Sequence, residues 1–301
     1  MAKVLAVENL EEFKTSLPPY PALKNLKQHI PDTKIKLFEF YDLKQCQLYT
    51  LIAERNTSLG KLQLPSRRYL YERKLIKAIK ACQLKVESHK LQNQLQRWLE
   101  VKSAHLPLVW ADLLQTSSEM KQTLNSNTGL IKDQQQNGLQ ETKTALHYLL
   151  ALNQKELVSG EALELHLHSL ASTRLPAKLW LSQLILKTHL SRTTSWLKQQ
   201  TADTHCQSPS SKQQVQYLSN VFRIFFIEKI QPIASQINHF QYQLSPIFNK
   251  MAKHPTLSPE FKHYIIALNQ RGFKNYQIAM QQHIQFWQTL FKRCNINPVN
   301  L

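Results

Sequence analysis

With 301 residues, 42% of them hydrophobic and 19% charged, the chain can bury a sizeable core and is not a disordered polyelectrolyte. Five glycines in the whole sequence leave no room for a glycine-rich phosphate loop, a doubly wound sheet with its fingerprint turn, or a β-sandwich with many tight turns. Thirty-eight Lys and Arg against twenty Asp and Glu give a formal charge of +18, which favours anionic partners such as nucleic acid, phospholipid or lipopolysaccharide.

The opening residues, Met-Ala-Lys-Val-Leu-Ala-Val-Glu, lack the apolar core of about 7 to 15 residues that a signal peptide carries. Two expectations stay open there: a cytosolic chain, or an exported one whose targeting segment lies outside this sequence. Downstream, Leu43, Cys46, Thr50 and Ala53 recur at helical spacing while Leu48, Leu51 and Ile52 fill a second face. Residues 39 to about 59 therefore read as a buried helix, apolar on most sides and stopped by Gly60. Pro65 and Ser66 restart the helical pattern with Ser66 as cap. The next helix sets Leu75, Ile79, Cys82 and Val86 on a core stripe and Arg73, Lys77 and Lys80 on an opposed basic one.

Further helices are expected over Ser88 to His105, Pro107 to Gln115, Leu139 to Asn153, Ser159 to Ala171 with Ser159 as cap, and Pro176 to Gln200. In the last third, Pro232 separates Ser211 to Ile230 from Pro232 to Lys250. Ser258-Pro259-Glu260 opens a helix with a cap, a first-turn proline and an acidic residue, and a final helix covers about Phe273 to Cys294. Polar loops fall near 116–138 and 201–211, and neither is long enough to imply independent domains. The expected architecture is all-α: a single irregular domain over residues 1–301 with roughly ten helices and no 20 to 50 residue repeat. The most apolar stretches, Leu179 to Leu186 and Val221 to Ile227, are too short to span a membrane.

Four cysteines without a C-x-x-C pair leave two disulfides or four quiet thiols. In an antiparallel pair of helices, Cys46 and Cys82 stand about 20 and 24 Å from the turn at 1.5 Å per residue, so they are level enough to bond. Cys206 then pairs with Cys294 by elimination.

One long ordered run is distinctive: Asp42-Leu43-Lys44-Gln45-Cys46, then Leu51-Ile52-Ala53-Glu54-Arg55-Asn56-Thr57-Ser58-Leu59-Gly60-Lys61, then Pro65-Ser66-Arg67-Arg68-Tyr69-Leu70-Tyr71-Glu72, and Cys82. It resembles a family of uncharacterised proteobacterial lipoproteins, a domain of unknown function, mainly over residues 18–120, with Leu106-Pro107 and Trp110 extending the match. The resemblance implies an exported, lipid-anchored envelope protein and accounts for the even cysteine count. It places the export signal and lipidated cysteine outside this chain, and brings no activity with it.

Glu54, Arg55 and Asn56, followed by Ser58, Lys61, Ser66 and Glu72, gather polar groups at the turn of the apolar hairpin, where they could form a small anion or peptide pocket. The plainer alternative is that Asn56, Ser58 and Ser66 cap two helices while Glu54 and Arg55 pair. Ser58 with Lys61 and Ser195 with Lys198 satisfy Ser-x-x-Lys, but no Ser-Asp-Asn or Lys-Thr-Gly companion accompanies them, so no serine enzyme is expected. His166 and His168 diverge on a helix, so no metal site is expected. Residues 61 to 102 hold eleven Lys and Arg against three Glu, interleaved with Tyr69, Tyr71 and Trp98, as on a phosphate-tracking surface.

The sequence thus reads as a non-catalytic, periplasmic, lipid-anchored binding or structural module without a cofactor. Its expected partner is an anionic envelope surface or envelope protein, contacted through Glu54, Arg55, Asn56, Ser58, Lys61, Ser66, Arg73, Lys77 and Lys80. The alternative is a cytosolic nucleic-acid-binding helical protein, although no helix-turn-helix, zinc finger or RNA-binding strand motif supports it.

Overall fold

The computed structural model describes residues 15–31, 36–46, 48–57, 63–132, 138–155, 157–202, 206 and 208–296. In chain order the helices are α1 (Leu23–Leu26), α2 (Leu37–Asp42), α3 (Leu48–Asn56), α4 (Pro65–Gln83), α5 (His89–Thr116), α6 (Ser118–Leu124), α7 (Leu139–Ala151), α8 (Gly160–Thr173), α9 (Leu175–Gln200), α10 (Pro209–Val221), α11 (Gln231–Lys253), α12 (Pro259–Ile266) and α13 (Phe273–Arg293). Ten of these have eight or more residues, and the described residues contain no strand.

Serine caps start many of them. Ser88, Ser159, Ser208 and Ser258 each accept a hydrogen bond from a backbone N–H three residues on, satisfying a donor that the first turn would otherwise leave unpaired. Ser66 does not act this way. Leu64 is the cap of α4 with Pro65 in the first turn, and buried Ser66 donates instead to Glu164 at 2.8 Å, tying α4 to α8.

Four expected boundaries fall differently, one of them the polar loop near 116–138, which contains α6 (Ser118–Leu124). The single helix over 39–59 is two helices joined by a 3-10 turn, Leu43–Gln45, and an extended Cys46, so it does not bury evenly. Leu43, Cys46 and Leu48 are buried whereas Thr50 and Ala53 are exposed, and Gly60 lies outside the described residues. Pro107 lies inside the continuous 28-residue α5 and does not divide it. Pro232 does not end α10 either, because the π-helical turn Phe222–Ile230 leads without a break into α11; the wider winding carries the chain past the missing N–H. A second π-helical turn, Ala267–Gly272, joins α12 to α13, and the carbonyl of Asn269 within it accepts a hydrogen bond from Gln241 Nε2 at 2.8 Å.

Both expected disulfides are formed, Cys46–Cys82 and Cys206–Cys294, with Cα separations of 5.5 and 5.1 Å. Their placement follows the packing. The largest cluster of buried apolar residues, with Trp110, Trp180, Phe248 and Phe261, gathers the C-terminal half of α5, α7, α8, the start of α9, α11 and α12. It contains no cysteine. A second cluster joins Cys46 and Cys82 to Leu75, Ile79, Leu95 and Trp98, between the far ends of α4 and α5. A third sets Cys294, and Cys206 at its margin, against Leu197, Leu218, Phe222 and Trp287, between the far ends of α9 and α13. Long helices thus have one end in the main core and the other in a satellite cluster closed by a cystine.

The segment before α2 is held to the main core by side chains. Gln115 Nε2 donates to the carbonyl of Leu26, Tyr20 Oη donates to the carbonyl of Gln115 at 3.0 Å, and Gln28 Nε2 donates to Thr256 O at 3.1 Å.

Candidate functional site

The polar residues grouped by the sequence are distributed over several environments. Glu54 and Asn56 are exposed on α3, and Ser58 and Lys61 lie outside the described residues. Ser66 is committed to Glu164. Glu72 is buried and forms an ion pair with Lys102 on α5 at 3.1 Å. Arg55 is half-buried with its guanidinium 5.9 Å from the Tyr71 ring centroid, and its neighbour along the wall of a cleft is a different set of groups.

The basic stripe on α4 also needs correcting. Arg73 is not a free surface cation: its Nη1 donates to Leu152 O at 2.8 Å and to Tyr69 Oη at 3.2 Å, and its Nη2 donates to Lys155 O. It thus holds carbonyls at the start of the 3-10 turn Leu152–Gln154 that ends α7 and just after it, and Tyr69 in turn donates to Asn153 Oδ1 at 3.0 Å. The exposed cations of α4 are Arg67, near its start, and Lys74, Lys77 and Lys80 further along.

Arg55 borders a cleft of about 270 Å³ where α3, the start of α4, the C-terminal half of α5 and the segment after α1 meet. Lys27, Arg55 and Arg68 supply three cationic side chains and Asp112 one carboxylate, with Gln63 and Val109 on the walls. Gln28 N–H donates to Asp112 Oδ1 at 2.7 Å and so fastens the segment after α1 across α5. Burial raises the pKa of Asp112, opposed by the Gln28 N–H and by the charges of Arg68 and Lys27. Arg68 Nε and Gln63 Oε1 are buried without a hydrogen-bond partner. A buried donor and a buried acceptor left unmade at one cleft are costly in the free protein and are the groups a ligand would satisfy.

Other chemistry suggested by the sequence finds less support. His166 packs on the Tyr148 ring at 4.2 Å with its pKa lowered by burial and by Lys155, whereas His168 is exposed. No group of three or more His, Cys, Asp or Glu among the described residues suits a metal ion. Ser195 and Lys198 are both exposed. A second groove of about 370 Å³ between α9 and α13 carries Lys198 and Arg293, but Arg293 Nη2 already donates to Thr201 O at 2.9 Å.

Of the cleft, sequence reasoning found only Arg55. One signal was present for Asp112, a single acid within the apolar run Leu108–Leu114, where a carboxylate has to be partnered to be buried. Nothing in the sequence brings Lys27 or Gln63 to it.

The family described as "Protein of unknown function (DUF3080)" matches residues 1–298. No curated protein and no solved structure matches the chain.

Proposed function

The chain belongs to that family of proteins of unknown function, and from this premise we propose that it is a non-catalytic, lipid-anchored periplasmic protein that binds anionic groups of the cell envelope. Its two disulfides point to an oxidising, non-cytoplasmic compartment, since cytosolic thiols are kept reduced. The observation that carries the binding reading is the cationic surface of α4, which the Cys46–Cys82 bond ties to the segment before α3: Lys74, Lys77 and Lys80 are exposed there on a chain of net charge +18. Exposed Ile224, Phe225 and Ile227 on the π-helical turn add an apolar contact of the kind a bilayer interface accepts. No helix among the described residues is long and apolar enough to cross a membrane.

The test uses the oxidised chain with vesicles of anionic phosphatidylglycerol and of neutral phosphatidylcholine. Binding to the anionic vesicles should fall steeply between about 50 and 200 mM salt, and the triple variant Lys74→Glu, Lys77→Glu, Lys80→Glu should lose it while melting as the parent does. Equal binding to both vesicles would remove the electrostatic reading. Sequence-dependent binding to duplex DNA that persists at about 200 mM salt would favour a nucleic-acid partner instead.

A further inference from the structure

We infer that the cleft between Arg55, Arg68, Lys27 and Asp112 is a binding site for a small monocarboxylate that carries its own hydrogen-bond donor beside the carboxylate, such as an α-amino or α-hydroxy acid. The inference rests on the reading of the chain as a binding module and gives that module a ligand class.

The groups lining the cleft set this class. Among the described lining residues three cations stand against one carboxylate, a surplus of two positive charges that favours an anionic ligand. Guanidinium groups suit a carboxylate, whose two oxygens match their planar fork, and Arg68 keeps its Nε–H buried and unpartnered. The same cleft holds Gln63 Oε1, a buried acceptor without a donor, and Asp112, of which Oδ1 accepts the Gln28 N–H. A bare anion would leave the Gln63 oxygen unsatisfied and would face the Asp112 carboxyl directly. A ligand with a carboxylate at one end and an ammonium or hydroxyl beside it satisfies both sides: the carboxylate on Arg68, Arg55 and Lys27, the donor on Gln63 or Asp112. A volume of about 270 Å³ is at the small end of ligand cavities, and Val109 offers only a short apolar wall.

The experiment titrates the whole oxidised chain with L-alanine, L-lactate, acetate and inorganic phosphate, following binding by saturation-transfer NMR and calorimetry. Alanine or lactate should bind, with acetate at least about tenfold weaker because it lacks the donor. Asp112→Asn should shrink that preference without abolishing acetate binding, and Arg68→Gln should abolish binding of all the carboxylates. Arg55→Gln reads the same loss if Arg68→Gln does not fold. Acetate equal to alanine and lactate, phosphate binding tighter than either, variants with unchanged affinity, or no carboxylate bound up to about 10 mM would each overturn the assignment. The vesicle assay on the same sample separates the two readings. Vesicle binding without ligand binding overturns the cleft assignment and leaves the envelope reading standing. Alanine or lactate bound in the cleft by a chain that ignores anionic vesicles does the reverse.

Discussion

Trp287 donates its indole Nε1–H to Nε2 of His283 at 2.9 Å, and this bond decides where the imidazole carries its hydrogen. With Nε2 accepting, Nδ1 bears the proton and donates to Thr194 Oγ1 at 2.8 Å, and the Thr194 hydroxyl donates to Leu190 O at 2.6 Å. His283 is neutral in the fold, with both ring nitrogens engaged, and burial lowers its pKa from 6.5 to about 4.

Stability should therefore fall in mild acid. The unfolded chain takes up a proton at His283 near pH 6.5, while the folded chain does so only near pH 4, so the contribution is complete above about 6.5 and is lost as pH falls towards 4. The slope for one proton is at most about 1.4 kcal/mol per pH unit. Melting temperature measured at pH 7 and pH 5 should drop more for the parent than for His283→Gln. Parallel drops would show that other groups control the acid limb.

Arg73 and Lys77 share one helix and should behave oppositely. Arg73→Ala removes the guanidinium bonds to the Leu152 and Lys155 carbonyls and should cost roughly 2 to 3 kcal/mol. Lys77→Ala, at an exposed position, should stay within about 0.5 kcal/mol. Denaturant midpoints at constant slope measure both, and comparable losses would contradict the carbonyl-serving role of Arg73.

The Glu72–Lys102 pair is buried enough that removing one partner should hurt more than removing both. Glu72→Ala leaves the Lys102 ammonium uncompensated at a cost of about 3 kcal/mol, whereas Glu72→Met with Lys102→Met should recover most of that loss. A double variant no more stable than Glu72→Ala would mean that packing, not charge, dominates the site.

Each cystine should guard its own satellite cluster. Cys46→Ser with Cys82→Ser should lower stability by about 4 kcal/mol in the chain-entropy account of a 36-residue separation, with hydrogen exchange rising over α3 and the far ends of α4 and α5. Amides around Trp110 and Trp180 should stay protected. Uniform loss of protection would show that the clusters melt as one unit.

The helical class, the Ser159 and Ser258 caps and the Cys46–Cys82 pairing were legible in the sequence because each depends on local chemistry or on simple spacing along a hairpin, and the Cys206–Cys294 pairing then followed by elimination. The misplaced boundaries share a cause. Pro107 and Pro232 read as breaks from local rules, yet tertiary packing and π winding carry the helix through both. Arg73 was read as a surface cation because its acceptors, Leu152 and Lys155, lie 79 and 82 residues away. The cleft was only partly legible for the same reason: Arg55 and Arg68 come from neighbouring helices, but Lys27 and Asp112 reach them only once the segment after α1 is fastened across α5.

The separation of the cysteines into two satellite clusters bears on oxidation fidelity. Four thiols allow three pairings, and both wrong ones require a cysteine of the α4–α5 arm to meet one of the α9–α13 arm. The cysteine-free main core lies between those arms in the packing of the long helices. A chain that condenses this core before its thiols are oxidised has each cysteine beside its proper mate, so the oxidant need supply only electrons' exit, and disulfide shuffling should be little needed to reach the native pairs.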